Sequence, residues 1–242
     1  MHYTHLSYKS TNVKLNHITM KTDAQIQNDV IEELKWEPGL SSSQIGVAAK
    51  DGVVTLSGMV DSYFKKLSAE RAAKRISGVK AVAEDITVGP STGSVKTDAE
   101  IAAAVLNALK WNSAVQDEKI KIKVENGIVN LEGEVDWDFQ RSQAKKSIEA
   151  LNGVKMVLNL ITLKPKVSAG GVEEKINAAF QRRANIDSKS IKVIVNGSKV
   201  ILRGKVRSFT EKDDAADAAW AAPGVTSIDN QLEVEIAEFA YD

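Results

Sequence analysis

Strict alternation of apolar and polar residues appears three times along the chain, each time broken at its centre by an Asx-Gly pair. In the first copy Ile45, Val47 and Ala49 lead to Asp51-Gly52, and Val54, Leu56 and Gly58 lead away from it. In the second, Ile120, Ile122 and Val124 lead to Asn126-Gly127, with Val129, Leu131 and Gly133 beyond. In the third, Ile191, Val193 and Val195 lead to Asn196-Gly197, and Gly204 closes the run. A period of two predicts half-buried strands, and Asx-Gly between two such runs predicts a hairpin. Ser198 is one residue more than the other copies carry, which predicts a longer loop in the third hairpin.

On either side the period becomes that of a helix. Ile26, Val30 and Leu34 recur every fourth residue after Thr22-Asp23, and Ile101, Val105 and Leu109 do so after Thr97-Asp98. Threonine before an acidic first turn is a helix-start signal. The third copy keeps Ile176 and Phe180 but lacks the Thr-Asp cap. After each hairpin a second helix has a small-residue face: Ala69, Ala72 and Ala73, then Ala144, Ser147 and Ile148, then Ala215, Ala218 and Ala219. Small residues let a helix lie close on a sheet. Gly78, Gly153 and Gly224 stop these helices, and apolar strands follow over 79–88, 154–163 and 225–234.

Gly52 and Gly127 are 75 positions apart, and Gly133 and Gly204 are 71 apart. Fixed spacing of this kind is read as a repeat. The fold class predicted is α+β: three tandem α-β-β-α-β units, each a three-stranded mixed sheet with two helices on one face. Strand order is left open by the pattern. The boundaries are a leader at 1–21, repeats at 22–88, 97–163 and 172–236, linkers at 89–96 and 164–171, and a tail at 237–242. Units this small bury only about 60% of their unfolded surface, so the repeats are expected to lean on one another.

Composition narrows the function. The 242 residues carry no formal net charge, which argues against nucleic acid as a partner. There is no cysteine, which excludes disulfides and thiolate metal sites. All three histidines (His2, His5, His17) lie in the polar leader, which reads as a tail outside the fold, with Met20 as a second start. The leader has no apolar core of a signal peptide, which favours the cytoplasm, and no run approaches the roughly 18 apolar residues of a membrane span.

Without histidine or cysteine the repeats lack the commonest general base, metal ligand and thiol nucleophile. No catalytic residue, cofactor or metal is expected. Asp136 with Asp138, and Asp213 with Asp214, read as solvated helix N-termini. Gly52, Gly127 and Gly197 read as turn glycines. Gly58, Gly133 and Gly204 read as bulges or close backbone approaches in preference to a ligand site. Trp36 and Trp111 both follow Leu-Lys near the end of a first helix; Tyr63, Trp137 and Phe209 follow the hairpins. Packing in the core or between repeats is the commoner role for such aromatics; the sharper one is a membrane interface or a protein contact. Lys119, Lys121 and Lys123 alternate on one strand. The solvent face of a half-buried strand is the simpler reading, an anionic head-group patch the functional one.

Thr22-Asp23-Ala24-Gln25-Ile26, the run from Asp51 to Gly58 and that from Ala69 to Val79 together resemble the BON domain, the bacterial osmotically-inducible and nodulation domain. The resemblance spans nearly all of 22–236 in three copies. It implies a unit without catalytic activity, associated with osmotic and envelope stress, phospholipid binding at membrane surfaces and chaperone-like protection, in proteins that are often periplasmic or lipid-anchored. The function expected is a non-enzymatic stress-response protein whose repeats engage phospholipid or a membrane surface, with Trp36, Trp111, Lys119, Lys121 and Lys123 as contact candidates. The alternative is a soluble protein-interaction or chaperone-like module with client proteins as partners. Oligomeric state is left open.

Overall fold

The computed structural model describes residues 21–40, 45–89, 95–164 and 171–235; the leader up to residue 20, residues 41–44 ahead of the first strand, the centres of both linkers and residues 236–242 lie outside the described residues. Repeat 1 runs α1 (Asp23–Trp36), β1 (Ile45–Lys50), β2 (Val53–Val60), α2 (Tyr63–Arg75) and β3 (Ala81–Val88). Repeat 2 runs α3 (Asp98–Trp111), a short 3-10 turn (Asp117–Lys119), β4 (Ile120–Glu125), β5 (Ile128–Val135), α4 (Asp138–Ile148) and β6 (Met156–Leu163). Repeat 3 runs α5 (Val172–Arg182), β7 (Ile191–Asn196), β8 (Lys199–Val206), α6 (Phe209–Trp220) and β9 (Ser227–Val234).

Thr22 and Thr97 each cap a helix through a reciprocal box, with Gln25 and Glu100 reaching back to the cap. The residue after the cap has a second task. Asp23 accepts the backbone N–H groups of Asp51 (2.9 Å) and Gly52 (3.1 Å), so the helix start holds the hairpin turn. In repeat 3 the helix starts later, with Gly171 as its cap. There the Thr226 hydroxyl is bonded to that of Ser198 at 2.9 Å, and the Thr226 N–H to the Ser198 carbonyl at 2.9 Å.

In every repeat the second hairpin strand is central, antiparallel to the first and parallel to the last. This supplies the strand order and bears out the mixed sheet. Both helices pack on one face, with Ile26, Val30, Leu34, Val54, Leu56, Ala69, Ala72 and Ala73 buried between them in repeat 1. A Cβ at Gly133 would run into the carbonyl oxygen of Lys119, and one at Gly204 into that of Ser190. Both glycines also take positive φ (144° and 133°), so glycine is required twice over.

The third hairpin loop is not longer. Asn196 stays in the strand, paired with Lys199, and the turn is Gly197-Ser198. Asp51-Gly52 and Asn126-Gly127 have positive φ at both turn positions, as a type I′ turn requires; in the third turn only Gly197 does, at 62°. That suits a type II′ turn, which places glycine first. Gly197 therefore stands where Asp51 and Asn126 stand, and Ser198 where Gly52 and Gly127 stand. The extra residue of the motif is absorbed by sliding the Asn-Gly pair one position into the strand.

The repeats meet head to tail through their second helices. Tyr63 and Leu67 of α2 are buried in the core of repeat 2, and Arg71 is paired with buried Glu149 at 3.1 Å. Arg141 of α4 lies 4.5 Å over the ring of Trp220 at the end of α6. Phe209, at the start of α6, packs on the core of repeat 1, and α6 lies against α2. Each joint runs from one repeat to the next, and the third returns to the first. Heterologous contacts of this kind close a ring when the rotation permits.

Candidate functional site

Trp36 is the last residue of α1, two positions past Leu34 and so about 200° round the helix from the buried stripe. It is 85% exposed, and Trp111, its equivalent on α3, is 86% exposed. The packing role expected for these two residues therefore fails. It holds instead for Tyr63 and Phe209, which stand in the joints. Trp137 precedes α4, and Gln140 accepts its backbone N–H at 3.1 Å. In repeat 3 the position of Trp36 and Trp111 is taken by Arg182.

Two further aromatics escaped the sequence reading. Phe64 and Phe139 are the second residues of α2 and α4, and are 43% and 54% exposed; Thr210 takes their place in repeat 3. The missed signal is their offset from the alanine face, since five positions before Ala69 is about 140° away from it. Repeats 1 and 2 thus display aromatics at matching places, and repeat 3 displays polar residues.

The lysine stripe does not join the tryptophans. Lys121 and Lys123 are exposed and alternate with Ile120, Ile122 and Val124, which face the helices, so they lie on the opposite layer from α3 and Trp111. Lys119 meets Asp136 at 3.4 Å and Lys123 meets Glu125 at 2.9 Å, which raises the Lys123 pKa. β4 is an edge strand, and lysines on an exposed edge discourage unwanted pairing.

Asp213 and Asp214 are not at a helix start. Ser208 caps α6, accepting the N–H of Glu211 at 3.1 Å, and Asp213 lies a turn further on. Burial raises the Asp213 carboxyl above its ordinary value, against the pull of Lys74 on repeat 1. Burial likewise raises Asp217, opposed by Lys146 and reinforced by Asp138 and Asp214. Buried Glu211 behaves differently. Burial pushes it upward, but Arg207 (3.1 Å) and the backbone N–H groups of Asp187 (2.7 Å) and Arg207 (2.8 Å) outweigh this and hold its pKa low.

A cleft of about 370 Å³ lies at the joint of repeats 1 and 2, lined by Asp61, Lys96, Asp98 and Lys155 among others; neither tryptophan lines it. Among the described residues no group of histidine, aspartate or glutamate is arranged to hold a metal ion, and no helix is long and apolar enough to cross a membrane.

The model of the BON domain family matches residues 22–90, 97–165 and 168–236. The chain is 32% identical over 145 residues to osmotically-inducible protein Y of Escherichia coli K12, covering 57% of this chain and 70% of that protein. It is 30% identical over 145 residues to an Anaplasma centrale protein described as an uncharacterized protein in the gshII 5′ region, covering 59% of this chain and 95% of that one. Among solved structures, CdsD, a structural protein of the type III secretion system of Chlamydia trachomatis, aligns over 87% of this chain and 92% of its own, at 13% identity and a TM-score of 0.26. That likeness is too loose to bear on fold or function.

Proposed function

This chain belongs to the BON domain family, and from that premise we propose that it is a non-catalytic stress-response protein that engages phospholipid at a membrane surface through Trp36 and Trp111. The osmotic-stress part of this reading rests on the likeness to osmotically-inducible protein Y. The membrane part is carried by one observation: two tryptophans at one repeat position stand more than four-fifths open to water. Their exposure adds nothing to the core, and an indole, apolar with one N–H, suits the head-group level of a bilayer. Two weak contacts on one chain that meet the same surface act with avidity.

The test is co-sedimentation with anionic and zwitterionic vesicles, comparing the wild type with Trp36→Ala/Trp111→Ala. Binding that the double substitution abolishes supports the reading; equal pelleting of both proteins, or of neither, overturns it. A second reading, a chaperone-like or protein-interaction module, is favoured by Phe64 and Phe139, apolar area that a tryptophan contact leaves unused. Protection of an aggregating client that needs Phe64 and Phe139 but neither tryptophan would select it.

A further inference from the structure

Three asparagines stand directly before glycine, in Asn126-Gly127, Asn152-Gly153 and Asn196-Gly197. Such a pair is open to reaction with itself, because glycine has no side chain to shield its amide nitrogen from the asparagine amide carbon. The reaction needs a glycine N–H free to lose its proton, a backbone that brings this nitrogen round to the side chain, and room for the ring that forms. The fold withholds these from two of the pairs and leaves them to the third.

Gly127 is buried and donates its N–H to the Asp98 carboxylate at 2.9 Å. A negative charge so close disfavours the amide anion that would have to form. Asn126 is itself left-handed, at φ 54°, and a residue there, with ψ of about +47°, sets the next nitrogen nearly opposite its own Cβ. Asp51-Gly52, the matching turn of repeat 1, is held by Asp23 in the same way. Asn152-Gly153 is locked by packing. Val154 donates to the Leu151 carbonyl across that turn at 3.2 Å, and a Cβ at Gly153 would lie 2.9 Å from side-chain atoms of Ile101 and of Lys96.

Asn196-Gly197 escapes all of these restraints. The slide of the third turn makes Asn196 the last residue of β7, extended and exposed. An extended residue, with ψ of about +135°, brings the next nitrogen about 60° nearer to Cβ than the left-handed form does. Among the described residues the Gly197 N–H makes no hydrogen bond, and a Cβ on Gly197 would meet nothing within 4 Å.

We propose that Asn196 is a self-modification site of this chain, and that the fold spares Asn126 and Asn152. The Gly197 nitrogen gives its proton to water or hydroxide and bonds to Cγ of Asn196. The Cγ–Nδ2 bond breaks, and the side-chain nitrogen leaves as ammonia with a proton returned by solvent. Water then opens the five-membered imide. Breaking its N–Cγ bond leaves aspartate; breaking the bond from that nitrogen to the main-chain carbonyl carbon leaves isoaspartate, whose backbone runs through Cγ. No oxidant or reductant takes part. Either product sets a carboxylate beside Lys199, the cross-strand partner of Asn196, and makes a chain of zero formal charge negative. The lengthened backbone of isoaspartate falls at the turn that sets the β7–β8 register.

The test is peptide mapping of the full chain held at mildly alkaline pH. Trypsin places each pair in its own peptide, 124–141, 147–155 and 193–199, and mass spectrometry reads the exchange of NH2 for OH. Asn196 converts at least roughly tenfold faster than Asn126 and ahead of Asn152. Asp98→Ala speeds Asn126 several-fold and leaves Asn196 unchanged, the level Asn196 rate showing that the variant is folded. In guanidinium the three rates converge, since glycine follows each asparagine. Conversion of Asn126 or Asn152 as fast as that of Asn196 in the folded chain, a ranking that persists in guanidinium, or no gain at Asn126 in Asp98→Ala overturns the proposal.

Discussion

The carboxylate of Asp98 accepts the backbone N–H of Gly127 at 2.9 Å. It also takes that of Asn126 at 2.8 Å, so the first residue of α3 fixes the turn of the β4–β5 hairpin. Asp23 does the same in repeat 1, and the N–H groups of Asp51 and Gly52 hold its carboxyl below the ordinary 3.8.

Asp98→Ala is expected to cost about 1–2 kcal/mol of stability and to speed hydrogen exchange at Asn126 and Gly127. Asp98→Asn, which keeps one acceptor, recovers part of the loss. Urea unfolding and exchange rates check this; unchanged exchange at the turn would show that the carboxylate does not hold it.

Much of this could be read in the sequence because it is local. Alternation about Asp51-Gly52 and the fourfold spacing of Ile26, Val30 and Leu34 depend on near neighbours, and both survive folding unchanged. The Thr-Asp pair was legible as a cap, but not as a clamp on a turn 28 residues away, because hydrogen bonding across the fold leaves no periodic trace. For Trp36 two roles stood open: its residue type suggested burial, while its place past Leu34 put it on the outer face, where it stands exposed. Asp213 was assigned to a helix start because only Ser208 and the observed beginning of α6 reveal that it lies a turn inside, against repeat 1. The joints, made by Tyr63, Leu67 and Phe209, have no sequence signature beyond their being apolar.

The ring makes the repeats interdependent. Phe209→Ala, at the contact of repeat 3 with repeat 1, removes a half-buried ring and is expected to cost about 1–2 kcal/mol, and Arg71→Ala, which strips Glu149 of its closest partner, about 1–3 kcal/mol. If the joints transmit stability, Phe209→Ala lowers the unfolding midpoint of repeat 1 as well as repeat 3, which hydrogen exchange on β2 and β8 resolves. A loss confined to repeat 3 would mean that the contact carries no coupling.

Two carboxylates give opposite pH slopes. The folded pKa of Glu211 lies below its ordinary 4.5, so its stabilisation is full above that value and is lost as pH falls through the depressed one. The folded pKa of Asp213 lies above its ordinary 3.8, so its contribution is full below that value and is lost as pH rises through the raised one. Glu211→Gln should flatten the acid limb of the stability profile, and Asp213→Asn should flatten the decline on the alkaline side of 3.8. Chemical unfolding across the acidic range checks both signs; a profile unchanged by either substitution contradicts the assignment.

Exposed tryptophans should be dispensable for folding. Trp36→Ala and Trp111→Ala are each expected to shift unfolding by less than about 0.5 kcal/mol, whereas Trp220→Ala, which removes the ring beneath Arg141, costs several times that amount. Denaturant melts of the three variants make the comparison, and a large loss in either of the first two would place that side chain in a packing role.

The most direct measurement is quenching of tryptophan fluorescence by anionic vesicles whose acyl chains carry bromine. Membrane contact through Trp36 and Trp111 predicts quenching in the wild type, roughly half of it in each single substitution, and none in Trp36→Ala/Trp111→Ala. Emission that brominated and unbrominated vesicles leave alike, or quenching that persists in the double variant, would contradict it.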